Sequence, residues 1–293
     1  MESAEGSYSL IQSHLRQMEM AERVRILYAC EAGSRAWGTA SPASDYDVRF
    51  IYVRPVEWYL SLREKRDVIE YGPTGETEER ATGVDSLGPA QLGNACSLDL
   101  AGWDLRKALS LLGKGNPSLF EWLSAPIVYT EAYSLKERLQ SLAERAFSAK
   151  AAMYHYLHMA KQNWRPQHLG KQAAPKAYLS VLRPVLACAW IERYSSPPPM
   201  SIELLLEAAL PDLDGGIREE IDLLLELKRS GAHPESESRL SRLDGYLTGR
   251  MEGYERLASI MESPSRDTGP ALLSMLDEVF ISVLQEVWKM RIG

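Results

Sequence analysis

Two aspartates two residues apart, Asp45 and Asp47 in SDYDVRFIYV, are the strongest chemical signal in this chain. Successive side chains of a strand point to opposite faces, so both carboxylates are expected on one face, with Tyr46, Val48 and Phe50 on the other. Like charges held that close raise one another's pKa unless a cation lies between them, and a hard divalent ion with oxygen ligands answers that need. Mg²⁺ is therefore the expected ion. Upstream, Gly33-Ser34 ends the apolar run RILYAC and offers backbone amides and a hydroxyl of the kind that bind phosphate oxygens. Asp99, in LDLAG, supplies a third carboxylate. Together the three acids could hold two Mg²⁺ ions about 3.5 to 4 Å apart, with Mn²⁺ as a substitute. Asp104 competes with Asp99 for this role, but it stands where a helix should begin, and an acid there is explained by the helix dipole.

These residues need elements to carry them. SYSLIQSHLRQMEMAERV has apolar residues at helical spacing, RILYAC reads as a buried strand, and DYDVRFIYV as a second strand closed by Pro55. VEWYLSL fits one or two helical turns, and DVIEY a third strand. Residues 72–94, with five Gly and two Pro, have no apolar periodicity and are expected to form a long loop. ACSLDLAG resumes as a strand, WDLRKALSLLGKG reads as a helix, and NPSLFEWL as another, with Asn116 as cap and Pro117 at its first position. From residue 134 onward strand signals nearly vanish. One long helical pattern runs to Pro166, a second over 174–194 carries Pro184 as an expected kink, and further helices are expected near 201–209, 217–229, 239–261 and 269–290. The fold class is thus α/β (α+β): a short mixed sheet with helices over residues 1–132, then an all-helical domain over 133–293.

The chain has 293 residues, 45% of them hydrophobic and 25% charged, the balance of a globular protein. It shows no apolar run of membrane-spanning length and no signal-peptide pattern, so no membrane association and a cytoplasmic location are expected. Cys30, Cys96 and Cys188 are widely spaced without CxxC, which argues for reduced thiols rather than disulfides or zinc. A net charge of −7 speaks against a protein that coats nucleic acid. That average hides a basic stretch, however. Residues 147–191 hold Lys150, Lys161, Arg165, Lys171, Lys176 and Arg183 and no acid, while 201–293 hold eighteen acids against ten bases.

The blocks GSRAWG, SDYDVRFIYVRP, DLAGWDLRKAL, KGNPSLFEWL, YHYLHMAKQNW and KAYLSVLRPVLACAWIE resemble, in that order, the predicted nucleotidyltransferases of the YcgL type. These are also called RNA-ligase-associated proteins and belong to the DNA polymerase β superfamily. The resemblance implies a nucleotidyltransferase palm beside a helical domain, and transfer of a nucleoside monophosphate from an NTP to an acceptor. Gly33 and Ser34 match the family's phosphate turn, Asp45 and Asp47 its metal pair, and Asp99 its third acid. Arg106, Lys107, Asn116 and Glu121 match motif positions, with Lys107 reaching for phosphate or simply solvating a helix face. Where the family often has Lys-Lys-Tyr-Phe-Tyr, this chain has Pro175-Lys176-Ala177-Tyr178-Leu179. In this light Lys176 and Arg183, seven apart and so near one helix face, could with Lys161 line a cleft opposite the aspartates. Tyr154, Trp164 and Tyr178 could stack a base or fill the core, and His155 and His158 lack a third metal ligand at suitable spacing. The acceptor is open between RNA, a protein side chain and a small molecule, with RNA favoured by the family and the basic stretch. The competing reading is a non-catalytic nucleotide- or RNA-binding module, or a regulatory partner protein, that retains the fold.

Overall fold

The computed structural model describes residues 2–72, 91–92, 96–164, 175–231, 240–262 and 269–290. It divides into two compact units: Met1–Arg35, Ser44–Ala146 and Asp267–Gly293 in the first, Ala36–Ala43 and Phe147–Arg266 in the second.

The first unit begins with α1 (Glu2–Glu22), whose Ile11, Leu15 and Met18 recur at helical spacing and are 0–2% exposed. There follow β1 (Arg25–Glu31), the one-turn α2 (Gly33–Trp37), whose Ala36 and Trp37 fall in the second unit, β2 (Tyr46–Val53), α3 (Val56–Tyr59), β3 (Val68–Tyr71), β4 (Gln91–Leu92) and β5 (Cys96–Asp104). Then come α4 (Leu105–Gly113), α5 (Pro117–Leu123), β6 (Val128–Glu131) and α6 (Leu135–Ala146). The strands join in the order β3-β5-β2-β1-β6, and β4 also pairs with β5. The β2–β5 pair is parallel; the other ladders are antiparallel. Strand alternation sends Val48, Phe50, Tyr52, Leu98 and Leu100 into one core with the apolar stripe of α1. On β5, Trp103 points the other way and stacks on Trp122 of α5, with ring centroids 3.9 Å apart.

Gly102 shows how closely the first core is filled. A β-carbon there would come within 2.1 Å of the Phe50 ring. Overpacking of this kind costs roughly 1–3 kcal/mol. Gly102→Ala is therefore expected to lower the urea midpoint without changing the slope of the transition, and an unchanged midpoint would show that the ring can step aside.

The second unit holds α7 (Ala149–Asn163), α8 (Pro175–Tyr194), α9 (Ile202–Ala209), α10 (Gly215–Ser230) and α11 (Ser241–Ile260). The single helix expected over 134–164 is two, α6 and α7, because Ser148 interrupts it and its side chain accepts the Ala151 N–H as an N-cap. By contrast α8 continues through Pro184 as one helix. Its buried residues, among them Leu179, Leu182, Leu186 and Cys188, form one core with α7, α9, α10 and α11.

The last helix, α12 (Gly269–Trp288), belongs to the first unit. Trp288 donates its indole N–H to the Arg54 carbonyl at 3.0 Å, Phe280 meets Tyr59 edge-on at 5.1 Å, and Arg138 of α6 pairs with Glu286 at 2.6 Å. The compact units therefore do not divide at residue 132: α6 and α12 fall in the same unit as the sheet. A return of this kind depends on contacts between distant residues and leaves no local mark. Of the 72–94 stretch, residues 73–90 and 93–95 lie outside the described residues, while Gln91 and Leu92 pair with Ser97 and Cys96. No helix among the described residues is long and apolar enough to cross a membrane.

Candidate active site

Parallel pairing of β2 and β5 sets Asp47 directly beside Asp99, on the same rung and hence on the same face. Their side chains are 33% and 41% exposed. Asp104 falls opposite Tyr52, five residues further along β5, or about 16 Å away at the rise of a strand. There it is buried and caps α4, accepting the Arg106 N–H at 2.9 Å and the Tyr59 hydroxyl at 2.7 Å. Register thus places Asp99, and not Asp104, beside Asp47. Lys107, in the first turn of α4, goes to the far end of the strand too. It is bound to Asp67 at 2.9 Å, so the structure does not bring this expected phosphate contact to the carboxylates.

Gly33 sits against Asp47. Its φ is +59°, in the left-handed region, and a β-carbon there would lie 2.0 Å from Asp47 Oδ2. Ser34, half-buried, follows it in α2. Only glycine meets both demands, so the turn and the carboxylate form one local unit. Gly72, at the end of β3, closes on the other acid: a β-carbon there would be 2.9 Å from Asp99 Oδ1.

Asp45 differs from expectation. The strand starts at Tyr46, so alternation no longer fixes the face of Asp45, which is exposed and accepts the Ser97 N–H on β5 at 3.1 Å. Arg35 braces this approach to β2, donating to the Ser44 carbonyl at 2.5 Å and the Asp45 carbonyl at 3.1 Å while lying over the Tyr46 ring at 3.7 Å.

Three residues that the sequence reading did not single out complete the arrangement: Arg35, Glu31 and Arg49. Glu31, the last residue of β1, is fully buried and accepts the Asp47 N–H at 2.9 Å and the Tyr129 hydroxyl at 2.5 Å. Burial pushes its carboxyl up to about 6 from the ordinary 4.5, and the bonds from Tyr129 and Asp47 pull partly back. The folded state therefore holds the Glu31 proton more tightly than the unfolded chain, and stability falls as pH rises from 4.5 through 6, by about 2 kcal/mol in all. Glu31→Gln cannot ionise, so in urea titrations of the metal-free protein the wild type should lose stability relative to this variant across that window. A pH-independent difference between them would contradict this assignment. Arg49, two residues beyond Asp47 on the same face, reaches Asp99 Oδ2 at 2.9 Å and Asp47 Oδ1 at 3.8 Å. Strand alternation alone could have flagged Arg49, and an acid closing an apolar strand beside Gly-Ser could have flagged Glu31.

The donors suit a hard cation in type, since Asp45, Asp47 and Asp99 offer only carboxylate oxygens. Among the described residues, however, no three His, Cys, Asp or Glu side chains converge as a ligand set. Asp47 and Asp99 share a rung, while Asp45 accepts the Ser97 N–H through Oδ1.

The basic residues of the second unit take separate positions. Lys176 is exposed at the start of α8, whereas Arg183 is 3% exposed and lies over the Trp37 ring at 4.7 Å. The expectation that these two share an open face therefore fails, because the helix turns Arg183 into the core. Lys161 pairs with Glu255 at 2.7 Å, and Tyr178 is buried with its hydroxyl donating to Asp244 at 3.0 Å. Tyr154 and His158 are exposed, and His155 meets Tyr156 edge-on. Arg165 and Lys171 lie outside the described residues. All three cysteines are free thiols, with Cys30 and Cys188 buried.

Comparison with known proteins adds independent findings. The sequence profile of the RNA repair pathway DNA polymerase β family matches residues 8–81 and 91–282. The chain is 38% identical over 275 residues to the uncharacterized protein YcgL of Bacillus subtilis (strain 168), covering 94% of this chain and 95% of that one. A crystal structure of a nucleotidyltransferase-like protein from Exiguobacterium sibiricum aligns over 95% of this chain and 90% of its own, with 12% identity and a TM-score of 0.29, a likeness too slight to carry an argument.

Proposed function

As the chain belongs to the RNA repair pathway DNA polymerase β family, we propose that it is a Mg²⁺-dependent nucleotidyltransferase that moves a nucleoside monophosphate from an NTP to an RNA acceptor. One observation carries this reading: Asp47 and Asp99 stand on a single rung, and Asp47 closes on the Gly33 turn. Carboxylates beside a phosphate-binding turn are what a nucleotide with its cation requires.

Asp47 and Asp99, joined by Asp45, would hold Mg²⁺, with Mn²⁺ able to replace it. When bound, such an ion neutralises charge on the triphosphate and on the attacking oxygen. Gly33, bare of a side chain, and the Ser34 hydroxyl would meet phosphate oxygens. Glu31 and Tyr129 hold the backbone of Asp47 from beneath, and Arg35 holds that of Asp45. In the reaction an acceptor hydroxyl gives up its proton to solvent, its oxygen bonds to the α-phosphorus in line, the bond to the bridging oxygen breaks, and pyrophosphate leaves with the electron pair. Nothing in this scheme needs a covalent enzyme intermediate.

The choice of RNA rests on the family's description and on the acid-free basic stretch from 147 to 191, of which Lys176 is exposed. The test is incubation with each α-labelled NTP, Mg²⁺ or Mn²⁺, and RNA, protein and small-molecule acceptors. Label should move to RNA from a preferred NTP. Label appearing only on a protein or a small molecule would reject the acceptor, and no transfer from any NTP would reject the reaction.

A further inference from the structure

Arg49 occupies a position that neither the proposed chemistry nor the packing of the sheet requires. Its guanidinium projects from the face of β2 that bears Asp47 and reaches across the parallel ladder to Asp99. One terminal nitrogen, Nη2, lies 2.9 Å from Asp99 Oδ2 and 3.8 Å from Asp47 Oδ1, while Nη1 donates to the Val48 carbonyl at 3.1 Å. The side chain is 23% exposed, which leaves it less hydrated than either acid it faces. Two carboxylates on one rung repel each other strongly enough to need a countercharge between them. Arg49 supplies it.

We propose that Arg49 is a built-in counter-cation, which holds Asp47 and Asp99 in place while the site is free of metal and gives way when a divalent ion enters. The proposal rests on the reading of those two aspartates as cation ligands. Magnesium needs its oxygens at about 2.0–2.1 Å in near-octahedral geometry. One oxygen of each acid already faces the same guanidinium nitrogen, so a cation held by both carboxylates would compete with Nη2 for them. Val48's carbonyl, on the strand's own backbone, gives the displaced side chain a second anchor, so it can swing rather than unfold the strand. Arg49 is then a positioning residue. It tunes affinity for the metal by competing with it, and it removes the penalty of two bare carboxylates in the resting protein.

Competition predicts a sign that a purely structural arginine does not. Arg49→Met removes the charge and keeps much of the length. In EDTA its melting temperature should fall below that of the wild type, because the repulsion is no longer offset. Its affinity for Mn²⁺, read by calorimetry without NTP, should rise by roughly 1.5-fold to fivefold, the range expected for loss of one competing ion pair. Added Mn²⁺ should then recover most of the lost melting temperature. Arg49→Lys, which keeps a charge but loses the planar fork, should stay near the wild type in EDTA and lie between the two in Mn²⁺ affinity. The wild type offers a check that no folding defect can cloud: the side-chain Nε–H resonance of Arg49, assigned by its loss in Arg49→Lys, should shift on titration with Mg²⁺.

An equal or weaker Mn²⁺ affinity in Arg49→Met, or an Arg49 resonance that Mg²⁺ leaves in place, would overturn the proposal. If Mn²⁺ binds more tightly to the variant while neither protein transfers label from any NTP, the counter-cation stands and the reaction assigned above falls. If the wild type transfers label while affinity in the variant is unchanged, the reaction stands and the counter-cation falls.

Discussion

Asp47→Asn and Asp99→Asn should each abolish label transfer, with a fall of roughly a thousandfold or more, because a carboxylate that holds the ion contributes several kcal/mol to stabilising charge in the transition state. The asparagine is nearly isosteric, and the backbone N–H of residue 47 keeps its bond to Glu31, so the sheet should survive. Far-ultraviolet circular dichroism and the urea transition check that directly. Asp104→Asn is the informative control. Its carboxyl is buried at the opposite end of β5, where burial raises its pKa; the asparagine keeps one oxygen to cap α4 but loses the one that accepts the Tyr59 hydroxyl, so the change should cost stability of about 1 kcal/mol and leave transfer per folded molecule close to native. If Asp104→Asn abolished transfer while Asp99→Asn did not, the parallel register would be assigning the wrong third acid. Survival of transfer in Asp47→Asn would remove the basis of the proposed mechanism.

Gly33→Ala has the second largest expected effect, and it acts through Asp47. The new methyl would sit 2.0 Å from the Asp47 carboxylate oxygen, and the residue would remain at a φ of +59°. The backbone strain alone amounts to about 1–2 kcal/mol. Relief of the clash requires Asp47 to turn away or α2 to shift, and misplacement of a reacting group by about 1 Å can cost on the order of a hundredfold in rate. Gly38→Ala separates the two contributions: its φ is +79°, but a β-carbon there meets nothing within 4 Å. Gly38→Ala should therefore lower stability by a similar amount while transfer stays near native, and Gly33→Ala should lower both. Equal activity in the two variants would mean that the contact between the turn and Asp47 has no part in the chemistry.

Much of this architecture is legible locally. Helix α1 is written in the spacing of Ile11, Leu15 and Met18, β5 in the alternation from Leu98 to Asp104, and α5 in its Asn116 cap, which accepts the Leu119 N–H at 3.3 Å. Such elements are stabilised by neighbours three or four residues away on a helix, or two on a strand, and that is the range over which a pattern can be read. The placing of Asp45 on the face of Asp47 is not legible in this way. Alternation holds only inside a strand, and β2 begins between them.

What the amino-acid sequence determined by itself was the inventory: the Gly33-Ser34 turn, an acid pair at the start of a strand, a third acid on a later strand, and the family to which such an ordered series belongs. Tertiary structure decided which of these meet. The parallel register of β2 on β5 chose Asp99 over Asp104 and sent Lys107 to the far end, because a shift of pairing along the ladder moves every partner by the rise of a strand. Burial chose the rest. It placed Arg183 in the helical core and turned Glu31 into the support beneath Asp47. Across-ladder reach set Arg49 between two acids, one of them fifty positions away in the chain. Each of these outcomes depends on contacts between residues remote in sequence, whose free energy is set only when the sheet closes.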